Sequence, residues 1–259
     1  MDKILPTLPH IGIVIPSHNH AKYIKRCVLS VIKQDYPCKT LIIVDDGSSD
    51  NTFEVVKKIL TNITQEQNNL IGGYIGQVPV MIIRNEEAGG PSKARNIGIR
   101  ALSSIAHMIA PLDADDYYLD GKLSKSMAVM LTDPFRIGLV YSDVLIYDEA
   151  KDTYTYEYRR PYDRTTLEKE NIISNAPLIN RLALEKVGLY EENLRTSEDW
   201  DLWLRITESF VAIHVPESLQ VYSVTGENAT QTVNREQWEK DWRTVYYRLQ
   251  QRKGNINEK

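Results

Sequence analysis

Three carboxylates fall within four residues at Asp113-Ala114-Asp115-Asp116, directly after the apolar run His107-Met108-Ile109-Ala110-Pro111-Leu112. Acids packed this densely at the end of a strand repel one another unless a cation sits among them. Mg²⁺ in particular is held by one or two carboxylates plus substrate phosphates, so the stretch points to a metal–phosphate site. An acidic loop that only caps a helix is the plain alternative. A second acid pair opens Asp45-Asp46-Gly47-Ser48-Ser49-Asp50. It offers acceptors to a nucleobase N–H and a ribose hydroxyl, or it is a strand–turn–helix connection with Ser49 or Asp50 as N-cap. In Gly90-Pro91-Ser92-Lys93-Ala94-Arg95-Asn96, Lys93 and Arg95 stand near a helix N-terminus. There they face anionic ligand groups or form an ordinary basic surface. Finally, Glu198 and Asp199 open the helical stretch Ser197-Glu198-Asp199-Trp200-Asp201-Leu202-Trp203. Acids are favoured at that helix end in any case. A carboxylate beside the apolar surface of Trp200 and Trp203 also acquires a raised pKa suited to a general base. One of these tryptophans is expected in the core, the other as the floor of a sugar pocket.

These groups must be brought together by the chain between them. Ile11 to Ile15 is a short buried-type strand ended by Pro16, and Ala21 to Asp35 carries an amphipathic helical stripe. Thr40 to Val44 is a second strand, followed by a helix from about Asn51. Val78 to Ile83 is a third, followed by a helix from Ser92 to Ser103, and Met108 to Leu112 is a fourth. Strands separated by helices predict βαβ units and a mostly parallel sheet covered on both faces. Ligands of such sheets bind outside the carboxyl ends of the strands. The segments 45–46, 85–93 and 113–116 each follow a strand at that edge, so they are expected to converge. Later, Ile137–Ser142 and Val144–Tyr147 read as strands, and Asp152–Arg160 as a charged, Tyr-rich segment. Asn180–Val187, Glu198–Ser209 and Gln237–Gln250 read as helices, and Arg252–Lys259 as a polar tail.

Composition narrows the partners. With 31 Lys and Arg against 35 Asp and Glu, the net charge of −4 provides no basic field for nucleic acid. A hydrophobic fraction of 42% and a charged fraction of 25% are those of an ordinary globular chain. Cys27 and Cys38 make no disulfide framework, and Cys27 falls on the apolar face of a helix, as a core thiol would. No apolar run approaches ~18 residues and no signal-peptide pattern opens the chain. The expectation is a cytoplasmic protein, with peripheral contact at the inner face of a membrane left open. The acid cluster does not follow the EF-hand calcium loop, because Tyr117 and Tyr118 occupy its last two positions. The dinucleotide and P-loop glycine patterns are absent as well.

Taken together, Val14-Ile15-Pro16-Ser17-His18-Asn19, Val44 to Asp50, Gly90 to Asn96, Leu112 to Asp116 and Glu198 to Trp203 resemble the family 2 glycosyltransferases of the GT-A fold. The motifs run in family order over roughly residues 10 to 225. The resemblance implies a Rossmann-like α/β fold: a GT-A domain over 1–225, with a nucleotide-binding half about 10–116 and a smaller acceptor-side half about 117–225. A C-terminal helical extension follows over 226–259. It also implies inverting transfer from a nucleotide-diphosphate sugar, UDP-sugar favoured, to a glycan or glycolipid hydroxyl, with Mn²⁺ or Mg²⁺. By this resemblance Pro16 and Asn19 line the nucleotide pocket and Asp46 recognises the base. Lys93 and Arg95 lie near the nucleotide or the diphosphate, Asp113 and Asp115 serve the metal with Asp115 the favoured direct ligand, and Asp113 also lies toward the ribose. Asp116 is structural, Asp199 is the catalytic base, and Glu198 and Trp200 accompany it at the substrate. The chain departs from the family pattern at Val221 to Asn228, which has neither the Arg nor the His that many relatives carry there. A nucleotidyltransferase of related fold and a catalytically weak sugar-nucleotide binder are the competing readings. The first has no need of the Glu198-Asp199-Trp200 helix.

Overall fold

Ile11, Ile13 and Ile15 pack into one hydrophobic cluster while Val14, between them, packs into another. Leu41 and Ile43 alternate with Ile42 and Val44 in the same way. This period of two is what a strand buried on both faces imposes. In the computed structural model, which describes residues 8–102 and 105–254, these segments form β1 (Ile11–Ser17) and β2 (Lys39–Asp46), with α1 (Ile24–Ile32) between them. Next come α2 (Thr52–Ile59), β3 (Asn62–Gln67), β4 (Leu70–Ile75), β5 (Val78–Asn85), α3 (Pro91–Ala101) and β6 (Met108–Pro111). The second half contains β7 (Tyr117–Tyr118), α4 (Lys122–Met130), β8 (Ile137–Asp148), β9 (Thr153–Glu157), α5 (Arg164–Leu167), β10 (Leu178–Asn180) and α6 (Arg181–Val187). It ends with α7 (Glu198–Ile206), β11 (Val211–Val224), α8 (Ala229–Thr232) and α9 (Arg235–Arg252).

One sheet runs β3-β4-β5-β2-β1-β6-β10-β8-β11-β7, with β9 added to β8. Its centre, β5-β2-β1-β6, is parallel as expected, and β8 and β11 are parallel too. Antiparallel pairs extend it through the β3–β4 hairpin and through β10, β7 and β9. Helices α1, α2 and α4 cover one face through Cys27, Val28, Phe53, Val56, Leu123 and Met127. Helices α3, α6, α7 and α9 cover the other through Ala94, Leu102, Leu184, Trp203, Leu204, Val245 and Leu249. Helix α3 lies close on β1 because Gly98 has no side chain; a Cβ there would sit 2.5 Å from Val14 Cγ1. Among the described residues no helix is long and apolar enough to cross a membrane.

Several expected boundaries moved. Pro16 lies inside β1 and does not end it; the strand continues to Ser17, paired with Asp45. The first helix is shorter than Ala21 to Asp35. Asn51 takes the N-cap position of α2, although Asp50 does accept from Thr52 N at 2.9 Å. The end of the third helix at Ser103 and the tail beyond residue 254 lie outside the described residues. The two short strands around Asp143 are one, β8, because the Asp143 carboxylate is satisfied from the side. It accepts from Arg159 N at 2.8 Å and pairs with His214 Nε2 at 2.7 Å. His214 thus lies within β11, bound to Asp143 and stacked on Tyr141.

Lys122 is the unusual buried cation. Its Nζ donates to Gln220 Oε1 at 3.0 Å and Ser142 Oγ at 3.2 Å, and burial pulls its pKa down to about 7. Below that value the lysine is charged in both states and its burial penalty is fully present. Between about 7 and the ordinary 10.5 the unfolded chain keeps a proton that the folded state has shed. Stability from this group therefore rises with pH across that window, by about 1.4 kcal/mol per unit. Lys122→Met is expected to remove that slope. Urea unfolding of both proteins at pH 7.5 and pH 9 would show their stability difference narrowing as pH rises; a constant difference would contradict the burial argument.

Candidate active site

The carboxyl ends of β1, β2 and β6 meet the first turns of α3 and α7 around a cavity of about 380 Å³. Pro16, Asp46, Arg95, Asp113, Asp115, Glu198 and Asp199 all line it. The convergence expected of segments 45–46, 85–93 and 113–116 is met through Asp46, Gly90, Pro91, Asp113 and Asp115. Three other expected site residues, Asn19, Lys93 and Trp200, are placed elsewhere. Asn19 does not line the cavity. Its backbone is left-handed, with φ +58, and its carbonyl Oδ1 accepts from Ser49 N at 2.8 Å and Asp50 N at 3.3 Å, joining two loops. Lys93 is exposed on α3 and also lies outside the lining, because the helix turns Ala94 and Arg95 inward. Two helical steps separate a cation that meets solvent from one that is buried.

Arg95 is the centre of the charge network. It is 7% exposed and forks between Asp113 Oδ1 at 2.6 Å and Glu198 Oε1 at 2.8 Å. Burial opposes its charge, but the carboxylates of Asp113 and then Glu198 outweigh that and hold the guanidinium firmly protonated. Arg95 therefore ties the acid cluster after β6 to the first turn of α7. On the helix side, burial pushes Glu198 up to about 7, with Arg95 pulling the other way. Burial also raises Asp199, offset by the Trp200 N–H that donates to its Oδ1 and by Asn171, whose Nδ2 lies 3.0 Å from Oδ2. A carboxylate with a raised pKa at a cavity wall is a proton acceptor near neutrality.

Within the acid cluster the three residues have different surroundings. Asp116 is buried. It accepts from Ser223 N at 2.8 Å and Asn175 Nδ2 at 2.8 Å, and so serves the fold. Asp113 takes Arg95 and Asn175 and keeps a partly open face. Asp115 accepts from Asn228 Nδ2 at 2.9 Å, and burial, then the charge of Asp113, pushes it up to about 7. Among the described residues no group of three or more metal-capable side chains is present. Two carboxylates on one cavity nevertheless fit a hard cation that completes its shell with phosphate oxygens and water. Such a cation would also relieve the repulsion that raises Asp115.

Asp46 is committed to its own chain. Its Oδ1 accepts from Asn85 Nδ2 at 2.6 Å, and its Oδ2 from Gly89 N at 2.9 Å and Gly90 N at 2.7 Å. The carboxylate fastens the glycine turn before α3, so a base N–H would have to share an oxygen already in use. Trp200 does not floor the cavity: it is 3% exposed, and its Nε1 donates to Leu167 O at 2.7 Å. Both tryptophans of α7 are buried, since Trp203 is fully enclosed. Residues that sequence reasoning missed complete the walls. His18 and His20 come from the β1–α1 loop, Asn175 from the segment before β10, and Glu227 and Asn228 from the segment lacking Arg and His. Nothing in their spacing marks isolated amides as site residues.

Comparison with known proteins accords with this geometry. The family model described as glycosyl transferase family 2 matches residues 12–187. The chain is 25% identical over 208 residues to the chondroitin synthase of Pasteurella multocida, covering 80% of this chain and 20% of that one. It superposes on TarS of S. aureus, solved in complex with UDP-GlcNAc, with a TM-score of 0.70 at 16% identity. That match covers 96% of this chain and 68% of the crystallised TarS segment 1–349. The mannosyltransferase PcManGT of Pyrobaculum calidifontis, solved with GDP-Man and Mn²⁺, gives a TM-score of 0.64 at 17% identity over 96% of this chain and 65% of that one. The chain spans between 20% and 34% of the length of four curated relatives that it matches. With strand-end motifs on one cavity and a family match over more than half of its length, the chain belongs to glycosyl transferase family 2 and has the GT-A fold.

Proposed function

We propose that this chain transfers a sugar from a nucleoside-diphosphate sugar to a hydroxyl of a glycan or glycolipid, with inversion at the anomeric carbon and Asp199 as general base. The observation that carries the reading is the single cavity lined by Asp113 and Asp115 on one side and by Glu198 and Asp199 on another. In an inverting displacement, negative charge builds on the leaving diphosphate while the acceptor hydroxyl loses its proton. Asp199, raised by burial, would take that proton. Asp115 and Asp113 would hold Mn²⁺ or Mg²⁺, which when bound would neutralise charge on the departing group. Arg95 keeps the two sides of the site in register, and Asn228 orients Asp115 in place of the missing Arg or His. A nucleotidyltransferase has no use for the second carboxylate pair, and the family match also speaks against it.

UDP is the favoured nucleotide, with dTDP and GDP as the alternatives that offer the same ring N–H. A thermal-shift panel of UDP-, dTDP- and GDP-sugars with and without Mn²⁺ tests the reading. A donor at about 100 times its Kd is expected to add about 2.7 kcal/mol of stability. The Mn²⁺-dependent part of that shift should vanish in Asp115→Ala. Absence of a shift with every donor, or an unchanged Mn²⁺ effect in the variant, would refute it.

A further inference from the structure

We propose that the cleft between α9 and the start of α7 is a binding groove for a neutral acceptor oligosaccharide, with Trp238 and Trp242 as its stacking platforms. The inference rests on the reading of Asp199 as the base. A second cavity, of about 810 Å³, opens beside the donor cavity and shares Ser197, Asp199, Thr230 and Trp238 with it. Asp199 therefore stands at the junction of the two, where an acceptor hydroxyl must present itself to a bound donor.

The groove wall has the chemistry of a sugar site. Trp238, Trp242 and Tyr246 recur at every fourth residue and so share one face of α9. Trp242 is 43% exposed, its ring parallel to and stacked with that of Tyr246 at 5.3 Å and 5°, and stacked on buried Trp200 at 6.1 Å and 20°. A large aromatic left half in water, yet held rigid from behind, presents a flat apolar face with little ordering left to lose on binding. The two α9 tryptophans that line the cleft lie about 6 Å apart along the helix, a spacing that suits neighbouring rings of a short oligosaccharide. Hydroxyl partners lie opposite: Asn171, already bonded to Asp199 Oδ2, and Glu170. With Asp199 ionised, the charged lining residues Lys169, Arg243, Glu170, Glu239 and Asp199 sum to −1, which disfavours an anionic polymer or lipid headgroup and leaves a neutral glycan as the occupant.

The groove is preformed. Asp241, buried on the inner side of α9, accepts from Thr196 N and Thr196 Oγ1, each at 3.0 Å, and from Arg195 N at 3.2 Å. Val245 and Leu249 anchor the same helix in the core. The aromatic face is thus pinned to the segment that leads directly into Glu198 and Asp199.

The test is a glycan array of neutral mono- to hexasaccharides probed with the whole chain in saturating donor, beside Trp242→Ala, Trp238→Ala and the conservative Trp242→Tyr. Donor binding, followed by thermal shift, is recorded separately; its failure in the wild-type chain would sink the reading of the active site and not this one alone. With donor bound, retention should rise with chain length up to three or four sugars and fall about tenfold in Trp242→Ala, with Trp242→Tyr recovering most of it. If Trp242→Ala loses its fold by circular dichroism, Trp238→Ala carries the comparison. Retention of no glycan by the wild-type chain would overturn the proposal. So would equal retention by folded alanine variants, or binding indifferent to chain length.

Discussion

Asp199→Asn is expected to lower transferase turnover by about 10²–10⁴-fold while leaving donor affinity within a few-fold of the wild-type value. The substitution keeps the size of the side chain and its acceptor for the Trp200 N–H, so α7 begins as before. What disappears is the group proposed to take a proton from the acceptor. Asp113 and Asp115, on the donor side, are untouched. The pH dependence follows from the direction of the shift: burial raises Asp199, so activity should rise with pH as the carboxylate ionises. That limb should be missing from the residual activity of the variant. Steady-state rates across pH 5 to 8, with donor affinity by calorimetry, separate base loss from misfolding. A variant with near-wild-type turnover would remove Asp199 from the role of base.

Arg95→Ala is expected to cost about 3–5 kcal/mol of folding stability, because it strips the cation from the enclosed Glu198 carboxylate and from the partly open Asp113. Domains of this kind have about 5–15 kcal/mol in all, so this is a large fraction. Without the guanidinium, Glu198, already pushed up to about 7 by burial, must take up a proton to remain folded. The folded variant then binds more protons than its unfolded chain, and its stability falls as pH rises. Urea unfolding should accordingly show a deficit against wild type that is larger at pH 8 than at pH 5.5. Arg95→Lys should recover only part of it, since one ammonium cannot fork to both Asp113 and Glu198. A deficit independent of pH would mean that the network is not what the guanidinium supports.

Much of the scaffold is legible because burial on both faces writes itself into residue spacing. The alternation in β1, β2 and β6 places Asp46 and Asp113 at one sheet edge before any contact is known, and Arg95 and Asp199 join them from the first turns of α3 and α7. The parts that escape have weak patterns for physical reasons. Strand β3 is exposed at all six residues and polar, so it has no apolar alternation to detect. Strand β11 is broken by Pro216 and Glu217, where its register against β8 shifts. Asn175 and Asn228 act through single amides brought in from distant loops. The misplaced residues are instructive in another way. Asn19 and Lys93 sit inside motifs that do reach the cavity, but a side chain's direction depends on φ and on helical phase, not on motif membership. Trp200 neighbours Asp199, yet the next position on α7 faces the core.

The central claim is that one sugar lies between a leaving diphosphate on the Asp115 side and a base at Asp199. The most direct measurement is the anomeric configuration of the first-formed sugar product. An α-linked donor that the thermal-shift panel identifies is turned over with Mn²⁺, with water as acceptor if no glycan is used, and followed by proton NMR before mutarotation. A β product is expected, formed by the wild-type chain and suppressed in Asp199→Asn. An α product would contradict it, because a single displacement with the base opposite the leaving group cannot retain configuration.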